Sequence, residues 1–202
     1  EIPKRDWSSD VCSSDLECRA RTVAVIKRFI ELDSSGDWSV KGMALEAVGH
    51  LGGPEAAALL RSAFSEAGAR ELAQARIDGA FDASRVSYDV SWTVVEIRGR
   101  AAIGLAECGD AEGMEDVAAE YERLMKERVV DPRYYRPYHE IADSLTERER
   151  KRDALFRGLV RAMARNDFFA ENGRNALTGN PEQDAALLWP YSATYDVPKH
   201  DP

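Results

Sequence analysis

Histidine and cysteine, the residues that most often bind metals or act as nucleophiles, are few in this chain. The histidines lie at positions 50, 139 and 200, and no two have the spacing of a metal-binding motif. Cys18 and Cys108 are isolated, and Cys108 falls in an apolar helical pattern, which is typical of a buried small side chain. The sequence therefore predicts no metal site and no cofactor.

Catalytic motifs that depend on a fixed local geometry are also missing. The sequence contains no nucleophile elbow, no phosphate-binding P-loop and no glycine-rich dinucleotide fingerprint. Acidic residues do cluster between positions 110 and 116, but the first turn of a helix attracts such residues because of its dipole. We therefore predict no catalytic residue and a protein that is not an enzyme.

One segment, residues 131–139, has the residue types that dominate binding hot spots. It reads DPRYYRPYH, and arginine and tyrosine combine a large contact area with a polar end. The alternative is that Pro132 starts a helix while Tyr135 and Tyr138 pack between helices. The candidate protein-binding residues of this segment are Arg133, Tyr134, Arg136 and His139.

A basic helix predicted over residues 147–166 offers a second candidate surface. It holds seven basic and three acidic residues in a chain whose formal net charge is −9. Arg157, Arg161 and Arg165 recur every four residues and so form one row on the helix. Arg157 and Arg161 are candidates for electrostatic support of a protein partner. Alternatively, the row is a solvent-exposed face that pairs with the acidic helix predicted at 111–129.

Composition excludes several other classes of protein. The 202 residues contain 36 acidic and 27 basic side chains, so the electrostatic footprint of a duplex nucleic-acid-binding protein is absent. No apolar run approaches the ~20 residues that a membrane span needs. Three cysteines are too few for a disulfide framework and favour an intracellular, free-thiol protein, with the compartment left open. We therefore expect an unidentified protein partner.

The beginning of the chain does not resemble natural protein sequence. Residues 6–16 read DWSSDVCSSDL and resemble the translation of a common short-read sequencing adapter. We therefore treat residues 1–16 as a non-native, disordered tail, residues 17–189 as the folded domain and residues 190–202 as an extended tail. The natural start of the protein stays open. One alternative is that the chain is the C-terminal helical domain of a larger enzyme, truncated upstream of residue 17.

From residue 17 onward the apolar residues recur with helical spacing and predict an all-α fold of about nine or ten helices, which include helices over 69–82, 132–145, 147–166 and 167–177. Residues 41–60 align without gaps with residues 98–117. In this alignment Gly52 matches Gly109, and a third copy of the turn begins at Gly179. Internal repeats of this size indicate helix pairs that bury their apolar faces against one another.

Each of the three turns carries residues that end one helix and start the next. Glycine at the first position can take the left-handed conformation that closes a helix. The second residue, which is Gly53, Asp110 or Asn180, can cap the following helix. Because almost no linker remains, each turn predicts an antiparallel helix pair.

The runs from Ala44 to Ala56 and from Ala101 to Gly113 resemble HEAT-like repeats of the phycobilisome-lyase type, whose helices meet at such a glycine turn. The resemblance implies a short right-handed α-solenoid of antiparallel helix pairs. It also implies a non-enzymatic scaffold for protein–protein interaction, with a long surface for the partner. A chromophore-lyase-like protein and a DNA-glycosylase-like protein are alternatives within the same resemblance, and the negative net charge argues against the second.

Overall fold

A computed structural model describes residues 7–32, 38–74, 90–131, 133, 136 and 138–196. Within these residues all regular structure is helical and no strand occurs, which confirms the predicted all-α fold class. A short 3₁₀ turn over Ala142–Ser144 follows the seventh helix. The helices are α1 (Trp7–Leu32), α2 (Trp38–Leu51), α3 (Pro54–Phe64), α4 (Glu66–Gln74), α5 (Val90–Cys108), α6 (Ala111–Val129), α7 (Tyr138–Ile141), α8 (Glu147–Asn172) and α9 (Pro181–Asp196).

Helix α5 lies at the centre of the molecule, between α2 and α8, and it also contacts α3, α4 and α6. Helices α2 and α5 run in the same direction: Gly42 faces Glu96 near their beginnings, and Gly49 meets Gly104 further along. A Cβ atom on Gly49 would lie 2.6 Å from the carbonyl oxygen of Gly104. Glycine is therefore what lets the two backbones touch.

The core includes matching positions of the two aligned segments. Leu45 and Val48 of α2 are fully buried, as are their counterparts Ala102 and Leu105 of α5. Burying a side chain such as leucine stabilises the fold by roughly 1.5–3 kcal/mol. Burial along α2 and α5 therefore contributes to the packing of the helices against one another.

The three corners have the backbone conformations predicted for them. Asp110 accepts a hydrogen bond from the N–H of Gly113 at 3.1 Å, and Asn180 accepts one from the N–H of Glu182 at 3.0 Å. Gly53 occupies the same position before α3 and has no side chain to offer. The left-handed φ angles are 67° at Gly52, 75° at Gly109 and 77° at Gly179.

The structure corrects several predicted boundaries. Helix α8 is continuous from Glu147 to Asn172, where two helices were predicted, because neither glycine nor proline interrupts the chain near residue 166. Only the short α7 and the 3₁₀ turn are described where a helix was predicted over 132–145. The helix predicted over 69–82 is described only as far as Gln74, where α4 ends.

The helices extend into both segments that were predicted as tails. Helix α1 begins at Trp7, whereas a disordered tail was predicted over 1–16; residues 7–16 contain no glycine or proline that would break the helix. Helix α9 continues through Pro190 to Asp196, whereas an extended tail was predicted from residue 190. Aromatic contacts of α9 with neighbouring helices, described below, oppose the helix-breaking effect of this proline. Residues 1–6 and 197–202 lie outside the described residues.

Candidate functional site

A cleft of about 1380 Å³ lies along the corners of the molecule, and we call it the corner cleft. The glycine turns at Gly52 and Gly179 contribute to its lining, and so does Cys108, the last residue of α5. Helices α8 and α9 supply further lining residues, among them Arg161 and Trp189. Two of the three glycine turns and the C-terminal end of α5 therefore border one space.

A chain of ion pairs crosses this cleft and connects three helices. Arg100 of α5 donates to Glu46 of α2 at 2.6 Å, and Arg165 of α8 donates to the other oxygen of Glu46 at 3.0 Å. Arg165 also pairs with Glu107 of α5. Burial would lower the pKa of Arg100, but its hydrogen bonds to Glu96 and Glu46 outweigh burial and raise that pKa. These charges therefore hold α2, α5 and α8 together at the cleft.

His50 and Glu107 occupy the same position in the two aligned segments, and their side chains are neighbours in the structure. The His50 Nε2 atom lies 3.3 Å from Glu107 Oε2. The Glu107 side chain is only 2% exposed, whereas the His50 side chain is 63% exposed. Helices α2 and α5 run side by side, so equivalent repeat positions come into contact. The wall of the cleft therefore contains an exposed imidazole in contact with a buried carboxylate.

Arg174, which follows α8, closes the C-terminal end of α5. Its guanidinium donates to the carbonyl oxygen of Ala106 at 2.9 Å and to that of Glu107. It also lies over the ring of Phe169, with 5.6 Å between the Arg174 Cζ atom and the ring centroid. The last carbonyls of a helix have no partner within the helix, so a cation placed there stabilises its end.

Cys108, which also lines the corner cleft, is unsuited to act as a nucleophile. Burial raises the pKa of its thiol, and the thiol donates to the carbonyl oxygen of Leu105 at 3.4 Å. A nucleophilic cysteine needs a lowered pKa, because the thiolate is the reactive form. Cys108 is half-buried and contacts the apolar core, in line with the structural role predicted for it.

Arg133, a predicted binding residue, is held by internal contacts. Its guanidinium donates to Asp131 at 2.7 Å, to Glu149 at the start of α8 and to the carbonyl oxygen of Ser144 at 3.1 Å. The hydrogen bond from Arg133, together with those from Thr146, lowers the pKa of Glu149 to about 2. The contacts of Arg133 therefore connect the segment before α8 to the first turn of that helix.

The other predicted binding residues have different locations. Arg136 is exposed, and Arg161 is exposed within the corner cleft. Arg157 pairs with Asp153 of its own helix at 3.4 Å. Tyr134 lies outside the described residues, and His139 belongs to α7 although its side chain is not described. Among the predicted residues, the structure thus places Arg161 at the cleft and Arg133 away from it.

Part of the basic helix follows the alternative predicted for it. Arg152 of α8 pairs with Glu127 of α6, and Asp153 of α8 pairs with Arg128 of α6. Arg165 points inward to the ion-pair chain of the corner cleft. The row of three arginines is therefore divided between different environments rather than forming one basic surface.

Trp189, Arg174 and Glu107 were not among the predicted site residues. Trp189 fell in the last positions assigned to the helical domain, and its 68% exposure is a property of the folded chain. No local pattern marks Arg174, because its partners are 67 and 68 residues away. Glu107 did carry a signal: the gap-free alignment pairs it with His50, and equivalent positions of adjacent repeats are neighbours.

None of the described helices combines the length and apolar character required to cross a bilayer. No group of three or more histidine, cysteine, aspartate or glutamate side chains in the described part of the chain is arranged to hold a metal ion. Comparisons of the chain with protein-family models, with curated proteins and with solved structures find no match.

Proposed function

We propose that this chain is a short right-handed α-solenoid of HEAT-like helix pairs that acts as a non-enzymatic scaffold and binds a protein partner in the corner cleft. The observation that carries the proposal is the convergence of the glycine turns at Gly52 and Gly179, the C-terminal end of α5, α8 and α9 on that one cleft. Stacked helix pairs present extended surfaces of this kind to their partners. The parallel course of α2 and α5, on which equivalent repeat positions meet, supports the stacked arrangement.

The size of the corner cleft favours a polypeptide over a small molecule. Its volume of about 1380 Å³ exceeds that of typical small-molecule pockets, which enclose roughly 300–1,000 Å³. The cleft is also open along the corners of the helix pairs instead of enclosed. An extended segment of a partner protein would fill such a space.

The residues at the cleft surface are of the types that anchor protein interfaces. Trp189 is 68% exposed, and Arg161 is exposed on the adjacent helix α8. Tryptophan and arginine are enriched among the few residues that supply most of the binding energy of an interface. The inner cations Arg100 and Arg165 are engaged with Glu46, so they support the wall of the cleft.

Selection from a phage-displayed library of random dodecapeptides on the immobilised protein tests this function. We expect enriched peptides that bind the native chain and that lose at least about tenfold in affinity to W189A, the loss typical of a hot-spot residue. The matched control is R136A, which truncates an exposed arginine outside the cleft.

Two results would count against the proposal. The first is a library that yields no binder after repeated selection. The second is a set of binders that lose affinity to R136A and keep it for W189A, which would move the binding surface to the segment 131–139. A thermal melt of each variant, monitored by circular dichroism, verifies that the helices remain folded.

A further inference from the structure

We infer that the occupant of the corner cleft is an acidic peptide segment that carries a large apolar side chain. This inference rests on the proposed function and specifies the chemistry of the partner. Its basis is the balance of charges in the cleft and the exposed tryptophan on α9.

The corner cleft has a surplus of positive charge within an acidic protein. Five arginines and three carboxylates line it, whereas the chain as a whole has a net charge of −9. The arginines are Arg19, Arg100, Arg161, Arg165 and Arg174, and the carboxylates are Glu46, Glu107 and Asp184. Such a local surplus attracts a segment of opposite charge and orients it during association.

The carboxylates of the cleft already have partners within the protein. Glu46 and Glu107 are occupied by the ion-pair chain described above. Asp184 accepts the backbone N–H of Thr178 at 2.7 Å and that of Gly179 at 3.1 Å, and the hydrogen bonds from Thr178 lower its pKa. The negative charges of the cleft are therefore neutralised or hydrogen-bonded. They do not compete with a ligand for the remaining arginines of the cleft.

Arg19 of α1 and Arg161 of α8 are the outer arginines. Both are exposed, and no ion pair joins either guanidinium to a carboxylate whose side chain the structure describes. Arginine binds carboxylates through two parallel N–H donors, which makes it more selective for them than a simple point charge. Two exposed guanidinium groups in one cleft thus match a segment that contains glutamate or aspartate residues.

The apolar part of the site is on α9. Trp189 is 68% exposed and Leu188 is half-buried, and both line the corner cleft. The exposed indole is able to pack against one large apolar side chain of the ligand. Burial of that side chain contributes more binding energy than an exposed ion pair does. A segment with both acidic and apolar residues satisfies the two parts of the site.

Nucleic acid is the other polyanion that exposed arginines could attract. The corner cleft contains three carboxylates, and the negative charge of the whole chain opposes binding of a phosphate backbone. An acidic peptide has a lower charge density than nucleic acid, and it supplies an apolar side chain that can pack against Trp189. The charge pattern therefore favours the peptide.

Fluorescence anisotropy with labelled peptides tests the inference on the intact chain. The probe is a capped dodecapeptide of glutamate, leucine, glycine and serine, and its comparison peptides replace every glutamate with glutamine or with lysine. We expect the glutamate peptide to bind at least about tenfold more tightly than the glutamine peptide, and its affinity to fall as salt rises. Binding of the lysine peptide should be weaker still.

Variants locate the binding to the corner cleft. R161E and W189A should each lower the affinity for the glutamate peptide at least about tenfold. K126E makes the same charge change at an exposed residue of α6 outside the cleft, and it should alter the affinity less than about twofold. Equal affinity for the glutamate and glutamine peptides, an unchanged affinity in R161E, or an equal loss in K126E would overturn the inference. Displacement of the peptide by single-stranded oligothymidylate at lower concentration than by unlabelled peptide would also overturn it, in favour of nucleic acid.

The two proposals can fail separately. If the display library yields neutral or basic peptides that depend on Trp189, the scaffold function stands and the acidic character of the partner is refuted. If neither the library nor the designed peptides bind through the cleft, both proposals are refuted.

Discussion

Gly99 of α5 and Gly158 of α8 meet backbone to backbone. A Cβ atom built on Gly158 would lie 2.7 Å from the Cα atom of Gly99, whereas a Cβ atom built on Gly99 would lie 3.6 Å from the Cα atom of Gly158. The contact is therefore asymmetric: one glycine has room for a methyl group and the other does not.

Replacing Gly158 with alanine should destabilise the protein. The added methyl group would overlap backbone, which cannot turn aside as a flexible side chain can, so we expect the free energy of unfolding to fall by about 1–3 kcal/mol. G99A is the matched control, because its methyl group reaches only ordinary contact and alanine favours the helix by up to about 1 kcal/mol. Urea unfolding with equal m-values measures both changes. Equal destabilisation by the two variants would contradict the asymmetry.

Replacing Glu107 with glutamine should weaken the ion-pair chain of the corner cleft. Losing one partner of a buried ion pair costs about 3–5 kcal/mol, but Arg165 keeps Glu46 and is 21% exposed. We therefore expect a smaller loss, about 1–2 kcal/mol, in urea unfolding. The control is E112Q, because the Glu112 side chain is 78% exposed and an exposed pair contributes at most about 1 kcal/mol. An E107Q variant as stable as the native chain would refute the expectation.

Acid should remove the stabilisation that Glu149 provides. Hydrogen bonds from Arg133 and Thr146 lower the pKa of Glu149 from 4.5 to about 2 in the folded protein. Because the folded-state pKa lies below the unfolded one, this stabilisation is present above pH 4.5 and is lost as the pH falls toward 2. The ion pair of Glu149 lies near the surface, so we expect it to contribute about 1 kcal/mol to the free energy of unfolding.

The pH dependence of E149Q measures that contribution. Its free energy of unfolding should fall less steeply than that of the native chain between pH 4.5 and 2. E147Q changes the same first turn of α8 at a side chain that is 56% exposed, and it should retain the native slope. Identical slopes for E149Q and the native chain would show that another group is responsible.

Tyr195 should hold the end of α9 beyond Pro190. Its hydroxyl group donates to Asp167 of α8, its ring meets Tyr121 edge-on with 5.4 Å between centroids, and burial raises the pKa of its phenol. In Y195A we expect faster hydrogen exchange over residues 190–196, since a proline already interrupts the helical hydrogen bonds there. T194A, which removes an exposed hydroxyl group bonded within α9, should leave that exchange unchanged. Unaltered exchange in Y195A would mean that other contacts hold the helix.

The local features of the fold could be predicted from the sequence because they depend on neighbouring residues. The positive φ angles of Gly52, Gly109 and Gly179, and the cap at Asp110, follow from which residue types tolerate those conformations. The end of α9 could not be predicted in this way. Pro190 indicates a helix end, and the contacts of Tyr191 and Tyr195 with α8 and α6 oppose that preference.

In the candidate site too, the sequence predicts the type of residue but not its environment in the fold. Arg161 was predicted as a binding residue because of its place in a basic helix, and it lies in the corner cleft. Arg133 was predicted because it belongs to a segment rich in arginine and tyrosine, but Asp131 and Glu149 occupy its guanidinium. Whether an arginine is available to a partner depends on which carboxylates the fold brings near it, and helical periodicity carries no information about that.

By itself, the sequence determined that this chain is helical and where three of its corners lie, since capping and turn preferences act within a few residues. The tertiary structure alone decided which charged side chains form ion pairs. Arg165 and Glu46 are 119 residues apart and pair only because α8 and α2 both border the corner cleft. Side-chain partners at that separation are determined by the packing of the helices, and close glycine contacts bring some of those helices together.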